Sequence, residues 1–215
     1  MVRQAVADQT AIYPIGGGTS LGYGLPARAA GHGIDLRELN SIVDYPARDM
    51  TITVQAGITM SALAESLAAE NQQLPLDVPR SEEATLGGVL ATNCSGPRRF
   101  GLGTARDYVI GINAVDGHAN AFAGGGRVVK NVAGYDFCKL LIGSLGTLGI
   151  IHEVTLKVTP LPETKAILLC APKDGAHAEL LLAAMGSSAT RPTAIELLCG
   201  PAWHEGSHGL VDGVQ

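Results

Sequence analysis

Residues 11–20 read AIYPIGGGTS, a short apolar run that opens directly into three consecutive glycines and two small hydroxyl residues. Three adjacent glycines leave the backbone unusually free, and ordering them carries a large entropy cost. A phosphate-holding P-loop needs a lysine after the last glycine to reach the terminal phosphates, and no lysine in this chain follows a glycine. The dinucleotide fingerprint G-x-G-x-x-G fails at Leu21, and no helical pattern follows the loop directly. A third reading is a nest of main-chain N–H groups converging on an anion, with the Thr19 and Ser20 hydroxyls beside it. The plain alternative is a flexible surface loop.

A second glycine-rich stretch, EEATLGGVLATNCSGPRRFG (82–101), bears on that choice. Thr85 is placed to cap a helix over 86–93, with Gly87 and Gly88 in its first turn. Glycine there costs roughly 1 kcal/mol per residue against alanine, so a sequence shaped for stability alone rarely places two side by side. Their missing side chains admit a flat ligand, and the helix start is expected to offer free N–H groups to an anion. Thr92, Asn93, Ser95 and Gly96 follow with short polar groups. A third stretch, LIGSLGTLGIIHEVTL (141–156), sets glycines just before a strand; a tight loop with a glycine helix cap explains it equally well.

Elsewhere the periodicities are regular. Strands are expected at 11–15, 32–36 and 50–57, the last with Ile52, Val54 and Ala56 on one face. A helix capped by Thr59 is expected to reach Gln73, with Met60, Leu63, Ala64, Leu67 and Ala68 as its apolar stripe. Residues 107–124 read as a hairpin turning through Asp116-Gly117 as a type I′ pair. A helix at 134–143 stops at Gly143, and a strand from Ile150 carries Val154, Leu156 and Val158 on its apolar face, with His152 among them as a core residue. After Pro162 the texture changes to strand (163–173), helix (174–189) and strand (192–200), in which Leu180, Leu181, Leu182 and Met185 form a core-facing stripe.

Composition closes off several classes. With 46% hydrophobic and 16% charged residues the chain has a globular balance. A net charge of −5 without a basic run argues against a nucleic-acid partner. The four cysteines form no C-x-x-C pair, so neither zinc nor an iron–sulfur cluster is indicated, and their spacing suits reduced intracellular thiols. The opening MVRQAVADQTAIYP lacks a signal-peptide core, and no apolar run approaches membrane-spanning length, AILLCA at 166–171 being the best candidate. These features suggest a cytoplasmic protein.

The motifs together resemble the FAD-binding domain of the vanillyl-alcohol oxidase/p-cresol methylhydroxylase superfamily, and within it the glycolate oxidase FAD-binding subunit and its D-lactate dehydrogenase relatives. The likeness rests on GGGTS (16–20), VQAGITMSALAESL (54–67), LPLDVP (74–79), TLGGVLATNCSGPRRFG (85–101), RDYVIGINAVDG (106–117), GGRVVKNVAGYDFCKLLIGSLGTLGIIHEVTLKV (125–158) and PLPE (160–163). It implies an α+β, two-subdomain PCMH-type FAD-binding fold over residues 1–162, then the start of a small α/β cap-like unit over 163–215. It further implies a pyrophosphate on Gly16, Gly17, Gly18, Thr19 and Ser20, and a flavin lined by Thr85, Gly87, Gly88, Thr92, Asn93, Ser95 and Gly96. The Ile150 backbone then meets the adenine side. Some relatives attach FAD through a histidine where this chain has Thr19, so the FAD here is expected to be non-covalent.

The implied chemistry is hydride transfer from a 2-hydroxy acid such as glycolate or D-lactate to the flavin. The implied partners are a second flavin subunit and an iron–sulfur subunit. The relatives' substrate residues come largely from a cap domain, of which this chain carries only the start, and no catalytic residue is singled out. An accessory flavin-binding subunit without its own turnover is the competing reading. A reductase acting on a peptidoglycan sugar nucleotide is a weaker one, opposed by the KNVAGYD run. HEGSH (204–208) matches the zinc-protease pattern, but Gly206, Ser207 and Gly209 disfavour the helix it requires, so it reads as chance. Arg98 and Arg99 are candidates to neutralise phosphates or a carboxylate. Lys130, Asn131, Tyr135 and Asp136 are candidates for the flavin's surroundings, with helix capping the plainer role for Asp136.

Overall fold

The computed structural model describes residues 1–126 and 135–200. These divide into two units, Met1–Gly96 with Gly103–Leu161, and Pro97–Leu102 with Pro162 onward. Among the described residues no helix is long and apolar enough to cross a membrane.

The first unit opens with helix α1 (Val2–Ala7) and a parallel pair, β1 (Ala11–Ile15) with β2 (Gly31–Asp35). Its main sheet has the order β3-β4-β8-β6-β7, built from β3 (Ile42–Asp44), β4 (Thr51–Gln55), β6 (Val109–Val115), β7 (Ala121–Gly125) and β8 (Ile150–Lys157), with every pairing antiparallel. A small antiparallel pair joins β5 (Gln72–Gln73) to β9 (Thr159–Pro160). Helices α2 (Met60–Ala68), α3 (Leu86–Thr92), α5 (Ala105–Tyr108) and α6 (Phe137–Leu141) complete this unit.

Alternation in β4 and β8 explains the core. Ile52 and Val54 lie opposite Leu156 and Val154, and all four are fully buried with Leu63, Leu67, Leu86, Leu90 and Leu141 from the helices. On the opposite face Thr53 and Thr155 share a 3.0 Å hydroxyl contact. Burying each Leu or Ile contributes about 2 kcal/mol, so this cluster outweighs the cost of the glycines nearby.

Three local expectations need correction. Helix α2 ends at Ala68 rather than Gln73, because Asn71 takes a left-handed φ of 54° and feeds β5; its buried stripe is Met60, Leu63 and Leu67, with Ala64 and Ala68 exposed. The hairpin forms, but through a five-residue loop, Asp116–Asn120, closed by Asp116 N–H to Asn120 O at 2.9 Å. The left-handed residue there is Ala119 at φ 66°, not Gly117, because the Asp116 carboxylate accepts from the His118 and Asn120 N–H groups and sets the turn itself.

The third correction is in β8, where the register slips between Asn113↔Glu153 and Ala114↔Ile151. That bulge leaves His152 half-buried outside the core stripe, turns Ile151 inward and releases Ile150 from it. The helices α1 and α5, the four-residue α4 (Arg99–Leu102) and strand β3 are too short to announce themselves by periodicity, and none was expected.

The second unit holds α4 (Arg99–Leu102) and α7 (Gly175–Gly186). Gly101 N–H donates to Thr193 O at 3.0 Å, and Asp174 caps α7 by accepting from His177 N–H at 2.8 Å. The strands expected at 163–173 and 192–200 are not formed among the described residues, and α7 buries none of its residues; Leu180 is 70% exposed. An apolar run becomes a strand only where a partner ladder exists, and among the described residues these runs have none.

Candidate functional site

The glycine triplet has a packing cause before it has a chemical one. A Cβ on Gly17 would fall 1.6 Å from the Glu83 carbonyl oxygen, and one on Gly16 2.2 Å from Thr85 Oγ1. The chain leaving β1 therefore presses against the segment that caps α3, an approach that only glycine permits. Gly18 then takes φ +72°. Tyr23 N–H closes the turn on Ser20 O at 3.1 Å. The N–H groups of Gly17, Gly18, Thr19 and Ser20 have no acceptor among the described residues, which leaves four successive donors on one loop.

Thr85 is the hub beneath that loop. It is 2% exposed, takes an extended φ and ψ, and accepts from Gly88 N–H. The start of α3 is not open to an anion as expected: Leu86 N–H donates to Ile58 O at 2.9 Å and Gly87 N–H to Ala56 O at 2.7 Å. Gly87 is glycine because a Cβ would lie 3.0 Å from Ala56, so it serves helix-to-strand packing. Gly88 differs. It is exposed, and among the described residues an added Cβ would meet only Thr85 Oγ1, at 3.3 Å. One turn on, Thr92 donates its hydroxyl to Gly88 O at 2.9 Å.

Asn93 ends α3 at φ 52°, and Gly96 stands against Asp77, where a Cβ would come within 2.4 Å. Asn93 Oδ1, Ser95 Oγ and Ser144 Oγ are buried and find no hydrogen-bond partner among the described residues. Native structures rarely leave such atoms orphaned, and the exceptions call for an explanation.

The third glycine stretch completes the same helix from its other end. Gly143 N–H donates to Leu90 O at 2.9 Å and Leu145 N–H to Ala91 O at 2.8 Å, which satisfies the last carbonyls of α3. Gly143 and Gly146 take φ +85° and +72°. A Cβ on Gly146 would lie 2.8 Å from Pro14, so this loop touches β1 just before the glycine triplet. All three glycine stretches thus converge on α3 and the end of β1.

Two openings lie along that run. A cavity of about 350 Å³ is bounded by Pro14, Gly146, Gly149 and Ile150, with Val2, Ala5 and Val6 of α1 and the turn at Asp116-Gly117. A smaller cleft is lined by Thr19, Ser20, Tyr23, Val78, Pro79, Arg80, Val89, Thr92 and Cys94. Ile150 reaches the first because of the β8 bulge. Tyr23, Arg80 and Cys94 come from three separated segments, so no motif announced them. Val2, Ala5 and Val6 belong to α1, whose six residues are too few for their spacing to have announced a helix.

Nearby carboxylates are structural. Asp136 caps α6 by accepting from Lys139 N–H at 2.9 Å, and that bond holds its carboxyl below the usual range. The Thr104 N–H does the same for Asp107 at the start of α5. Tyr135 is 89% exposed. Arg98 and Arg99 belong to the second unit, and among the described residues the one charged residue lining the cleft is Arg80. Lys130, Asn131 and the HEGSH tail lie outside the described residues.

The family described as an FAD binding domain matches residues 1–121. Glycolate oxidase subunit GlcE of Escherichia coli is 36% identical over 168 residues, covering 78% of this chain and 47% of that protein. D-2-hydroxyglutarate dehydrogenase of Xanthomonas citri is 38% identical over 173 residues, 80% of this chain and 37% of that protein. D-lactate dehydrogenase of Anaerostipes hadrus is 34% identical over 169 residues, 79% of this chain and 35% of that protein. The chain thus spans between about a third and a half of these relatives' lengths. A solved structure of alkyldihydroxyacetonephosphate synthase superposes with a TM-score of 0.65 at 31% identity, over 76% of this chain and 30% of that one.

Proposed function

We propose that this chain, which belongs to the FAD-binding-domain family, is the flavin-holding part of an oxidoreductase acting on 2-hydroxy acids such as glycolate or D-lactate. One observation carries the reading. The short run from Pro14 to Ser20 borders both openings, and unpaired main-chain donors lie between them. A ligand with two ring systems joined by a pyrophosphate has that shape and that need.

The residues fit FAD. The amides of Gly17, Gly18, Thr19 and Ser20 are donors for the pyrophosphate, with Gly16 serving the close approach to Thr85. Gly88 leaves room for a flat ring on the exposed face of α3, with Thr92 one turn on. The orphaned Asn93 Oδ1 and Ser95 Oγ sit just beyond the helix, where the polar rim of a flavin supplies partners. Gly87 acts behind these, through Ala56. Ile150 and Pro14 border the cavity assigned to the adenine. Thr19 offers no imidazole for covalent attachment, so FAD is held by these contacts alone.

When bound, FAD supplies the two-electron acceptor that takes a 2-hydroxy acid to its 2-oxo acid. The protein's task is to fix the ring system's position and to present donors to its phosphates.

The test is purification with FAD, then anaerobic addition of glycolate, D-lactate or D-2-hydroxyglutarate to one portion of the native holoprotein and acid precipitation of another. Bleaching of the protein-bound flavin by one of these acids, and release of yellow flavin into the supernatant by acid, are the expected results. A chain that never retains FAD refutes the reading. The relative named as a glycolate oxidase subunit favours a second possibility, a subunit whose flavin is reduced only beside a second flavin subunit and an iron–sulfur subunit. In that case bleaching follows only when those partners are added.

A further inference from the structure

We propose that Arg80 is the cation of the phosphate subsite, and that its guanidinium exchanges Glu83 for the ligand's pyrophosphate on binding. The proposal rests on the FAD reading above and adds a residue to it.

Arg80 lines the cleft together with Thr19 and Ser20, and among the described residues it is the only charged one there. Its fork engages Glu83 through Nε to Oε1 at 3.1 Å and through Nη2 to Oε2. Both side chains are about half exposed, 55% and 54%. An exposed pair of this kind contributes little to stability, so releasing Glu83 is cheap. A guanidinium fork also matches two phosphate oxygens as well as it matches a carboxylate.

The backbone points the same way. Arg80 sits at φ 54°, in the left-handed region where glycine or asparagine is the easy choice. The turn fixes it there: Glu83 N–H and Ala84 N–H both donate to Arg80 O, at 2.9 and 2.8 Å. A long charged side chain at such a position is retained at a cost in strain.

Charge supplies the need. Gly17 packs directly on the Glu83 carbonyl, so the loop's free amides stand over an acidic segment, Glu82-Glu83. Both glutamates and Gly17 border a further cavity that also includes Arg37. Arg37 is already engaged, with Nη2 2.6 Å from Asp35. A pyrophosphate on the loop therefore meets repulsion from below, in a chain of net charge −5, unless Arg80 turns to it.

The experiment measures binding to the full chain by quenching of flavin fluorescence, using FAD and, as the phosphate-free control, riboflavin. Arg80→Gln is expected to raise the Kd for FAD about tenfold while riboflavin stays within about twofold, and Glu83→Gln to tighten FAD roughly threefold by removing the competitor. Equal weakening of FAD and riboflavin in Arg80→Gln assigns Arg80 to the turn alone and overturns the proposal. So does unchanged FAD affinity. If Arg80→Gln fails to fold, Glu83→Gln decides, and weaker FAD binding in it overturns the exchange. Failure of the wild-type chain to bind FAD removes the flavin reading and this one with it; retained wild-type binding with an indifferent Arg80 removes this one only.

Discussion

Replacing Gly88 by valine separates holding the ligand from holding the fold. Among the described residues an added Cβ meets only Thr85 Oγ1, at 3.3 Å. In a helix interior valine gains about 0.4 kcal/mol over glycine, while crowding the capping hydroxyl costs at most about 1 kcal/mol. The two nearly cancel, so Tm should move by less than about 3 °C for a chain of this size. The ligand has no such compensation. Three added carbons stand on the face where the flavin ring is assigned, and overpacking of about 3 kcal/mol converts to roughly a hundredfold in Kd. The assay pairs thermal unfolding of the apo-protein with FAD titration by fluorescence quenching. FAD affinity within about twofold of wild type would refute the assignment of that face. A large loss of Tm with proportionate loss of binding would show that Gly88 serves packing, as Gly87 does.

Gly17→Ala is expected to behave oppositely. Its Cβ would lie 1.6 Å from a backbone oxygen that cannot yield, so about 3 kcal/mol or more of stability is lost, and Tm falls by roughly 6–12 °C together with FAD binding. Thr85→Val removes the α3 cap for about 1 kcal/mol, a fall of roughly 2–4 °C in a calorimetric scan. Thiol titration at pH 8 should label the exposed Cys170 and Cys199 first and leave buried Cys138 unreacted, with FAD slowing Cys94 in the cleft. Burial pushes the Cys138 thiol from 9.0 up to about 11, so its folded form holds the proton longer than its unfolded form. Its stabilising contribution is therefore complete below pH 9 and declines as pH rises toward about 11; alkaline unfolding curves of wild type and Cys138→Ser, converging in that window, check the sign.

Much of the fold was legible where a pattern is local. Ile52, Val54, Val154 and Leu156 alternate as strands must, Thr59 and Thr85 cap the helices they precede, and the run around Asp116 turns a hairpin. The failures lie where a distant partner decides. The apolar runs at 163–173 and 192–200 carry strand composition without a ladder to join among the described residues. The β8 bulge depends on how β6 lies beside it, which no periodicity within β8 records.

The site divides along the same line. The sequence by itself determined that glycine would stand at Gly16, Gly17, Gly18 and Gly88 and that small hydroxyls would follow, because those identities are local facts. What each glycine is for was decided only by the tertiary structure: Gly17 yields to a carbonyl, Gly87 to a strand, Gly88 to open space. The same holds for the convergence of three loops on α3, and for Arg80 beside Thr19. A missing side chain looks identical in every glycine, and only the atoms that occupy its place reveal the reason for its absence.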